Sequence, residues 1–407
     1  RSRVAGRPRA LRAAMASIGL PPCEVLRSWP REWRLGELLS AAPGATFPPP
    51  SRFLHPAFDV RSSPETGGRC VVARQPCRAG ELVLVDAPLI VASSRRELLE
   101  TTFERANQEA EEDFRELLLS LCGDWGDRGK RAMALDEGFV PAPLVERIIA
   151  HNYHVVEPPP VDGCVREGET TICGLWPLGS IVNHSLRPNA TRSFVGHANC
   201  YRLLRDMGAG EELLDNYLDP RLPRSERMTI LEKVHSMGDE GPDDFDAPAE
   251  FLADIERGRE RVGGLLSEDR FEEAFELLAK VSSRCRACGR RDPAFAEIFR
   301  AHADVAWKLT GDAQLRLGCL TTALDYATAR EPFSTVSCLL AAELLEASLE
   351  AARASGPDAS EEGLRRAEAL AREHLRGVYG AEEGFFEALN PGLSERLRLA
   401  ASRPRKR

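Results

Sequence analysis

Two short segments carry the side chains best suited to chemistry. One is Asn183-His184-Ser185-Leu186-Arg187-Pro188-Asn189; the other runs from Gly210-Glu211-Glu212-Leu213 to Asn216-Tyr217. Together they offer amides, an imidazole, carboxylates and a phenol, all groups that grip a polar ligand by hydrogen bonds. Taken singly, each piece has an ordinary explanation. Asn, Ser and Pro favour turns, Gly-Glu-Glu turns are common, and a lone Tyr217 is more often a half-buried core tyrosine. Their joint occurrence in this order points to function. A serine nucleophile is excluded, because Gly179-Ser180 lacks the following x-Gly of a strand-to-helix elbow. Cys285-x-x-Cys288 has the spacing of half a zinc site, but no second pair lies nearby in sequence. His302 or Cys164 could complete it in space; the chance pair is preferred over that site and over a redox motif.

The elements around these segments change character along the chain. Pro48-Pro49-Pro50 closes a short N-terminal arm, after which Cys70–Ala73 and Leu82–Val85 read as short strands joined by the turn Arg78-Ala79-Gly80-Glu81. The two are expected to pair antiparallel. A helical insertion follows, with Ser94 and Glu97 at capping-box spacing and Leu98, Leu99, Phe103, Phe114, Leu117, Leu118 and Leu121 at helical intervals. A second helix is expected over Pro143–Ile149, β-type sequence around Thr170–Cys173, and a strand at Tyr201–Leu204. From Ser267, read as an N-cap, almost everything is helical. Phe271, Ala274, Phe275, Leu278 and Val281 form one stripe, and further helices are expected over 293–309, 313–328, 334–353, 360–378 and 381–389. The division expected is an arm at 1–50, strands at 51–95, a helical insertion at 96–147, a β-rich core at 148–235, an acidic linker at 236–266 and a helical, repeat-like domain at 267–407.

Composition narrows the class. The chain has 407 residues, 43% hydrophobic and 29% charged, as expected of a soluble multidomain protein. No apolar run approaches the roughly 18 residues that cross a bilayer, so no membrane span is expected. A net charge of −9 argues against general nucleic-acid binding and suits a basic protein partner. Most of the eleven scattered cysteines read as buried thiols, which favours a reducing compartment, cytosol or nucleus. Residues 1–14 hold five arginines and no acid before Met15; the stretch is read as sequence upstream of a start at Met15, ahead of the alternative of a basic targeting segment, and takes no part in the fold reasoning. The tail Arg403-Pro404-Arg405-Lys406-Arg407 is read as a solvated basic end before a nuclear-import signal.

In these motifs the chain resembles the SET-domain methyltransferases, and most nearly the subgroup that joins a SET domain to a helical C-terminal domain and a MYND zinc finger. Arg69–Glu81 looks like the family's first segment, Ile148–His154 with Asn152 like its middle segment, Asn183–Asn189 like its Asn-His-Ser-Cys-x-Pro-Asn motif, and Gly210–Tyr217 like its Gly-Glu-Glu-Leu…Tyr motif. Leu218-Asp219-Pro220 and Ser225-Glu226-Arg227 extend the likeness, which covers about residues 60–235. It implies an α+β protein: a SET-type β-fold of short antiparallel strands with a helical insertion, then an all-α, tetratricopeptide-like domain. It implies S-adenosylmethionine as cofactor and a lysine side chain of a protein, histone or non-histone, as acceptor. Lysine, with a free pKa of about 10.4, must reach the methyl deprotonated, in an apolar channel. By the resemblance Gly68 and Arg69 present backbone groups to the cofactor, Asn152 contacts it, Asn183 and His184 hold its amino-acid and adenine portions, and Tyr217 orients the amine. Trp176 is read as a core residue before a pocket wall. The family threads its last segment past the Asn-His-Ser region, which brings Tyr217 to Asn183 across 34 positions.

Three departures stand out. Cys70 replaces the second glycine of the first motif, where it is expected to crowd the pocket or shift the strand. Leu186 replaces the cysteine that joins a Cys-x-Cys-x-x-Cys cluster in binding zinc, and Ser236–Asp244 contains no cysteine, so no metal is expected. The acidic run there is a solvated loop or a cover over the substrate channel. The segment 92–150 holds only Cys122, too few ligands for a MYND finger. The reading is a lysine methyltransferase, probed against a rival in which a degenerate SET core serves as a scaffold and the helical domain binds partners. A monomer is expected, without nucleic acid.

Overall fold

The computed structural model describes residues 53–62, 69–121, 134, 137–156, 172–195, 198–219, 221–222, 224–235, 237, 245–355 and 361–380. The expected N-terminal arm, Gly68, the acidic run 238–244 and the helix expected over 381–389 lie outside these residues. The chain divides into two compact units: Arg1–Val156 with Gly168–Asn183 and Phe194–Leu213, and Glu157–Glu167 with His184–Ser193 and Leu214–Arg407.

The strands are β1 (Phe53–Leu54), β2 (Phe58–Ser62), β3 (Arg69–Ala73), β4 (Leu82–Asp86), β5 (Ile90–Ala92), β6 (Tyr153–Val155), β7 (Cys173–Leu175), β8 (Asn183–His184), β9 (Ala190–Val195), β10 (Ala198–Leu203) and β11 (Leu214–Asp215). In the first unit they make small sheets in the orders β2-β3, β5-β7-β6 and β1-β4-β10-β9, the last completed by the end of β9. The β1–β4, β4–β10, β2–β3, β5–β7 and β6–β7 pairs are antiparallel. The β3 and β4 runs, expected to pair with each other, do not. β3 pairs with β2, and β4 lies between β1 and β10. Four consecutive residues of each strand are buried. Since successive side chains point to opposite faces, both strands need cover on two sides and take separate partners. The turn between them docks elsewhere: Gly80, at φ +82°, donates its N–H to Leu203 O at 2.8 Å.

The helical insertion forms α1 (Arg95–Ala106), α2 (Glu112–Ser120) and α3 (Ala142–Asn152). Ser94 Oγ accepts the N–H of Glu97 as its spacing predicts, while the Glu97 carboxylate turns back to the N–H of Ser93, one residue earlier than a capping box requires. Leu98, Phe114, Leu118 and Leu121 join Leu144, Ile148 and Leu175 in one buried cluster.

The second unit contains the β8–β11 pair, through His184, and helices α4 (Arg224–His235), α5 (Ala249–Ser267), α6 (Phe271–Ala287), α7 (Ala296–Thr310), α8 (Ala313–Ala327), α9 (Thr335–Ser355) and α10 (Glu361–Tyr379). From α5 onward each helix packs on the next. The α7–α8 corner shows how sequence sets the breaks. Gly311 takes the left-handed conformation that ends α7, and Asp312 Oδ1 accepts the N–H groups of Gln314 and Leu315 to start α8. The linker expected over 236–266 is corrected, because α5 occupies its second half. Buried Leu252, Ile255, Val262 and Leu265 recur at helical spacing beneath a surface of alternating acids and arginines. Ser267 is accordingly the last residue of α5, with its hydroxyl on Gly264 O, rather than an N-cap. Among the described residues no helix is long and apolar enough to cross a membrane.

Candidate active site

In the first unit the constellation grows from β3. Leu213 donates its N–H to Val71 O at 2.7 Å, Ala73 to Glu211 O at 2.9 Å and Gly210 to Ala73 O at 2.7 Å. The Gly-Glu-Glu-Leu segment thereby runs beside β3 without belonging to a longer strand, and Gly210 reaches this geometry at φ +90°. Asn183, the last residue of the unit's Gly168–Asn183 stretch, clasps both segments. Its Nδ2 donates to Arg69 O at 2.9 Å and to Glu212 Oε1 at 2.6 Å. With both amide protons directed to these acceptors, Oδ1 faces the opposite way. The Arg69 side chain reaches back into the insertion, where Nη2 donates to Ser120 O at 2.6 Å.

Cys70 neither breaks nor shifts β3. It is buried, opposite Arg61 in an unbroken β2–β3 register, with its thiol on Arg61 O at 3.6 Å. Burial, and then the Glu212 carboxylate, push this thiol above its ordinary pKa, against an opposing pull from Arg61. Asn152 closes α3: its Nδ2 donates to Ile148 O at 2.7 Å, and its carbonyl accepts Ser180 Oγ at 3.4 Å. Trp176 is fully buried, edge-on to His154 at 5.9 Å and to Phe194 at 5.1 Å, as a core residue is. Buried Asp86, which the sequence did not single out, accepts the N–H groups of Leu178 and Gly179 and fixes the turn after Trp176.

In the second unit the constellation is built on β8 and β11. Ser185 donates its N–H to Asp215 O at 2.9 Å, and Asn189 exchanges bonds with Leu214: its N–H to Leu214 O at 3.1 Å, its Oδ1 from Leu214 N at 2.8 Å. The two motifs, far apart in sequence, are stitched together at both ends. His184 Nδ1 accepts the N–H of Tyr217 at 3.0 Å, and the two rings lie 5.2 Å apart at 47°. An Nδ1 that accepts assigns the neutral imidazole its proton at Nε2. Asp215 is buried and paired with Arg192 at 3.0 Å. Leu186, in the place of the family's cysteine, is 3% exposed and packs as an apolar residue.

Thus the structure brings Arg69 to Asn183 and His184 to Tyr217, places Asn152 under the Ser180 turn, and leaves Gly68 outside the described residues. Besides Asp86, three participants carried no assigned role in the sequence: Glu212, which Asn183 clasps, and Asn216 with Glu331, which bond to each other at 2.6 Å. Glu212 and Asn216 sit inside the quoted motifs and were open to notice. Glu331 is a lone acid between Arg330 and Pro332, with no pattern to mark it. Among the described residues no group of three His, Cys, Asp or Glu side chains is placed to hold a metal.

Residues 68–218 match the SET domain family model, and the chain carries a SET domain with short antiparallel strands followed by a mostly helical region. The human histone-lysine N-methyltransferase SMYD3 (Homo sapiens) is 26% identical over 133 residues, 33% of this chain and 29% of that protein; the mouse protein of the same name (Mus musculus) matches over the same shares. The likeness to this SET-and-MYND methyltransferase is weak and spans under a third of its length. A crystal structure of the SET domain of LSMT bound to lysine and AdoHcy aligns with 84% of this chain and 86% of that one at 12% identity, with a TM-score of 0.27.

Proposed function

We propose that the protein transfers a methyl group from S-adenosylmethionine to a lysine side chain of a protein substrate. The observation that carries this reading is the bond from Tyr217 N–H to His184 Nδ1, which holds the phenol-bearing residue to the Asn-His-Ser motif. SET-domain methyltransferases use S-adenosylmethionine, and the donor set here suits it. The Arg69 carbonyl, the Asn183 amide oxygen and the Glu212 carboxylate are acceptors, the chemistry needed beside a cofactor that carries ammonium and sulfonium charge. Asn183 and His184 would hold that group with backbone from the Arg69 strand, and Asn152 would support the turn behind them. When bound, the cofactor supplies an electrophilic methyl on a cationic sulfur.

The chain's own contribution is positioning and desolvation. Tyr217 offers a hydroxyl that orients an incoming neutral amine, with its backbone held on His184 and its ring against the imidazole. The net charge of −9 favours approach of a basic protein. The substrate is expected to be a protein rather than nucleic acid, with histone and non-histone proteins both open, in the cytosol or nucleus.

The test is transfer of labelled methyl from S-adenosylmethionine to a panel of lysine-bearing proteins and peptides, with Tyr217→Phe alongside. Label on lysine that falls by about 100-fold or more in the variant supports the proposal. A wild type that labels nothing on the panel, or a variant equal to it, would leave the scaffold reading in its place.

A further inference from the structure

Tyr217 is gripped along its backbone from both sides. Its own N–H is on His184 Nδ1 at 3.0 Å. Asn216 then spans it: Asn216 Oδ1 accepts the N–H of Leu218 at 3.1 Å, a turn closed by a side chain with Tyr217 at its centre. The other end of that amide, Nδ2, donates to Glu331 Oε1 at 2.6 Å. Asn216 and Glu331 are 7% and 8% exposed, so water does not compete for either group. An amide has one rotation. With Nδ2 anchored on Glu331, Oδ1 is directed at Leu218, and the turn around Tyr217 is held by a carboxyl 115 positions away, in the connection between α8 and α9.

We infer that Glu331 is a positioning residue for Tyr217, acting through Asn216, so that the helical region sets the angle at which the phenol is presented. The inference rests on the proposed role of Tyr217. A neutral acceptor would hold Asn216 equally well as architecture, whereas a carboxyl changes the strength of the grip with pH. Burial raises Glu331 to about 7, and Asp215 and Asp219 push the same way; the Asn216 amide and the Arg330 guanidinium pull it down. Arg330 is itself bound to Asp246 at 2.8 Å, and Asp215 to Arg192. Ionised Glu331 makes a charge-assisted bond about twice as strong as a neutral one. The hold on the Asn216–Leu218 turn therefore tightens as pH rises through neutrality.

The experiment uses the full chain as wild type, Glu331→Gln and Glu331→Ala. Side-chain amide signals of Asn216 and the backbone amide signal of Tyr217 are followed by NMR between pH 5.5 and 8.5, about 1.5 units either side of that midpoint. In the wild type they are expected to move together with one midpoint near 7, and in Glu331→Gln to stay still. In methyl-transfer kinetics Glu331→Gln, which keeps an acceptor, should retain near wild-type kcat but lose the step near neutral pH. Glu331→Ala should lose about 10- to 100-fold of kcat with unchanged affinity for S-adenosylmethionine. Signals of Asn216 and Tyr217 that do not titrate in the wild type would overturn the inference, as would a folded Glu331→Ala chain with wild-type kcat and pH profile. Should the wild type transfer no methyl at all, the functional proposal falls, while the NMR titration still decides the Glu331–Tyr217 coupling.

Discussion

At the scale of residues, the proposed role of Tyr217 requires a held backbone, and the backbone around it is held by bonds that do not involve its hydroxyl. Tyr217→Phe leaves the His184 bond and the Asn216 turn in place. The expected result is a folded variant with unchanged cofactor affinity and methyl transfer reduced by about 100-fold or more, read by a labelled-methyl assay beside a binding titration. Cys70 makes a second case. Its thiol turns to Arg61 O, away from the Asn183 clasp on Arg69 O. Restoring the family's glycine should therefore leave the dissociation constant for S-adenosylmethionine unchanged, while Cys70→Gly lowers stability by about 0.5–1 kcal/mol through the freer strand. Calorimetry and urea unfolding check the two halves. The pairing of His184 with Tyr217 was legible because their motifs have a fixed order and spacing. The other partners were not: Glu212 and Asn216 stand in those motifs without a chemistry that sequence spacing assigns, and Glu331 acquires meaning only through a long-range contact.

At the scale of elements, the segment after α4 is fixed by charge. Asp246 pairs with Arg227 at 2.6 Å and Arg330 at 2.8 Å, with Arg224 at 3.5 Å, and both of the first two guanidinium side chains are 1% exposed. Burial and the neighbouring Arg330 charge already disfavour the charged form of Arg227. Asp246→Ala would leave two buried cations facing each other, and urea unfolding should show a loss of about 3–5 kcal/mol; a loss below about 1 kcal/mol would show the cluster to be hydrated and dispensable. The helix pairs carry a second prediction. His302 meets Ser282 Oγ at 3.1 Å and Phe275, with Arg286 near; His374 meets Ser337 Oγ at 3.0 Å and Phe333. Burial lowers both, His374 to about 4. Both are lowered from the unfolded value of about 6.5, so the unfolded chain binds more protons as pH falls and stability is lost below about 6.5; for His374 the loss runs down to about 4, at up to about 1.4 kcal/mol per pH unit. Glu331, raised in the fold, works in the opposite sense between its ordinary range and about 7. Unfolding midpoints at several pH values, with His374→Gln flattening part of the slope, test this. The helices from α7 to α10 were readable from apolar spacing. The start of α5 was not, because its charge-rich surface hid a sparse stripe. The β3 and β4 partners were not either, since a short buried run does not name the strand it pairs with.

At the scale of the whole molecule, the fold class followed from the motif order and from the change from short strands to long helices, read in the sequence at Ser267 and found in the fold from Ala249. In the function proposed for it, the molecule binds its cofactor where Asn183 clasps Arg69 and Glu212. The most direct measurement is calorimetric titration of the full chain with S-adenosylmethionine, beside Asn183→Ala checked for an unchanged thermal melt. Saturable one-to-one binding is expected of the wild type, and an affinity lowered by about 10- to 100-fold in the variant, the loss expected for hydrogen bonds to a charged group. A well-folded wild type that takes up no S-adenosylmethionine, or a folded Asn183→Ala that binds it equally well, would contradict that reading of the site.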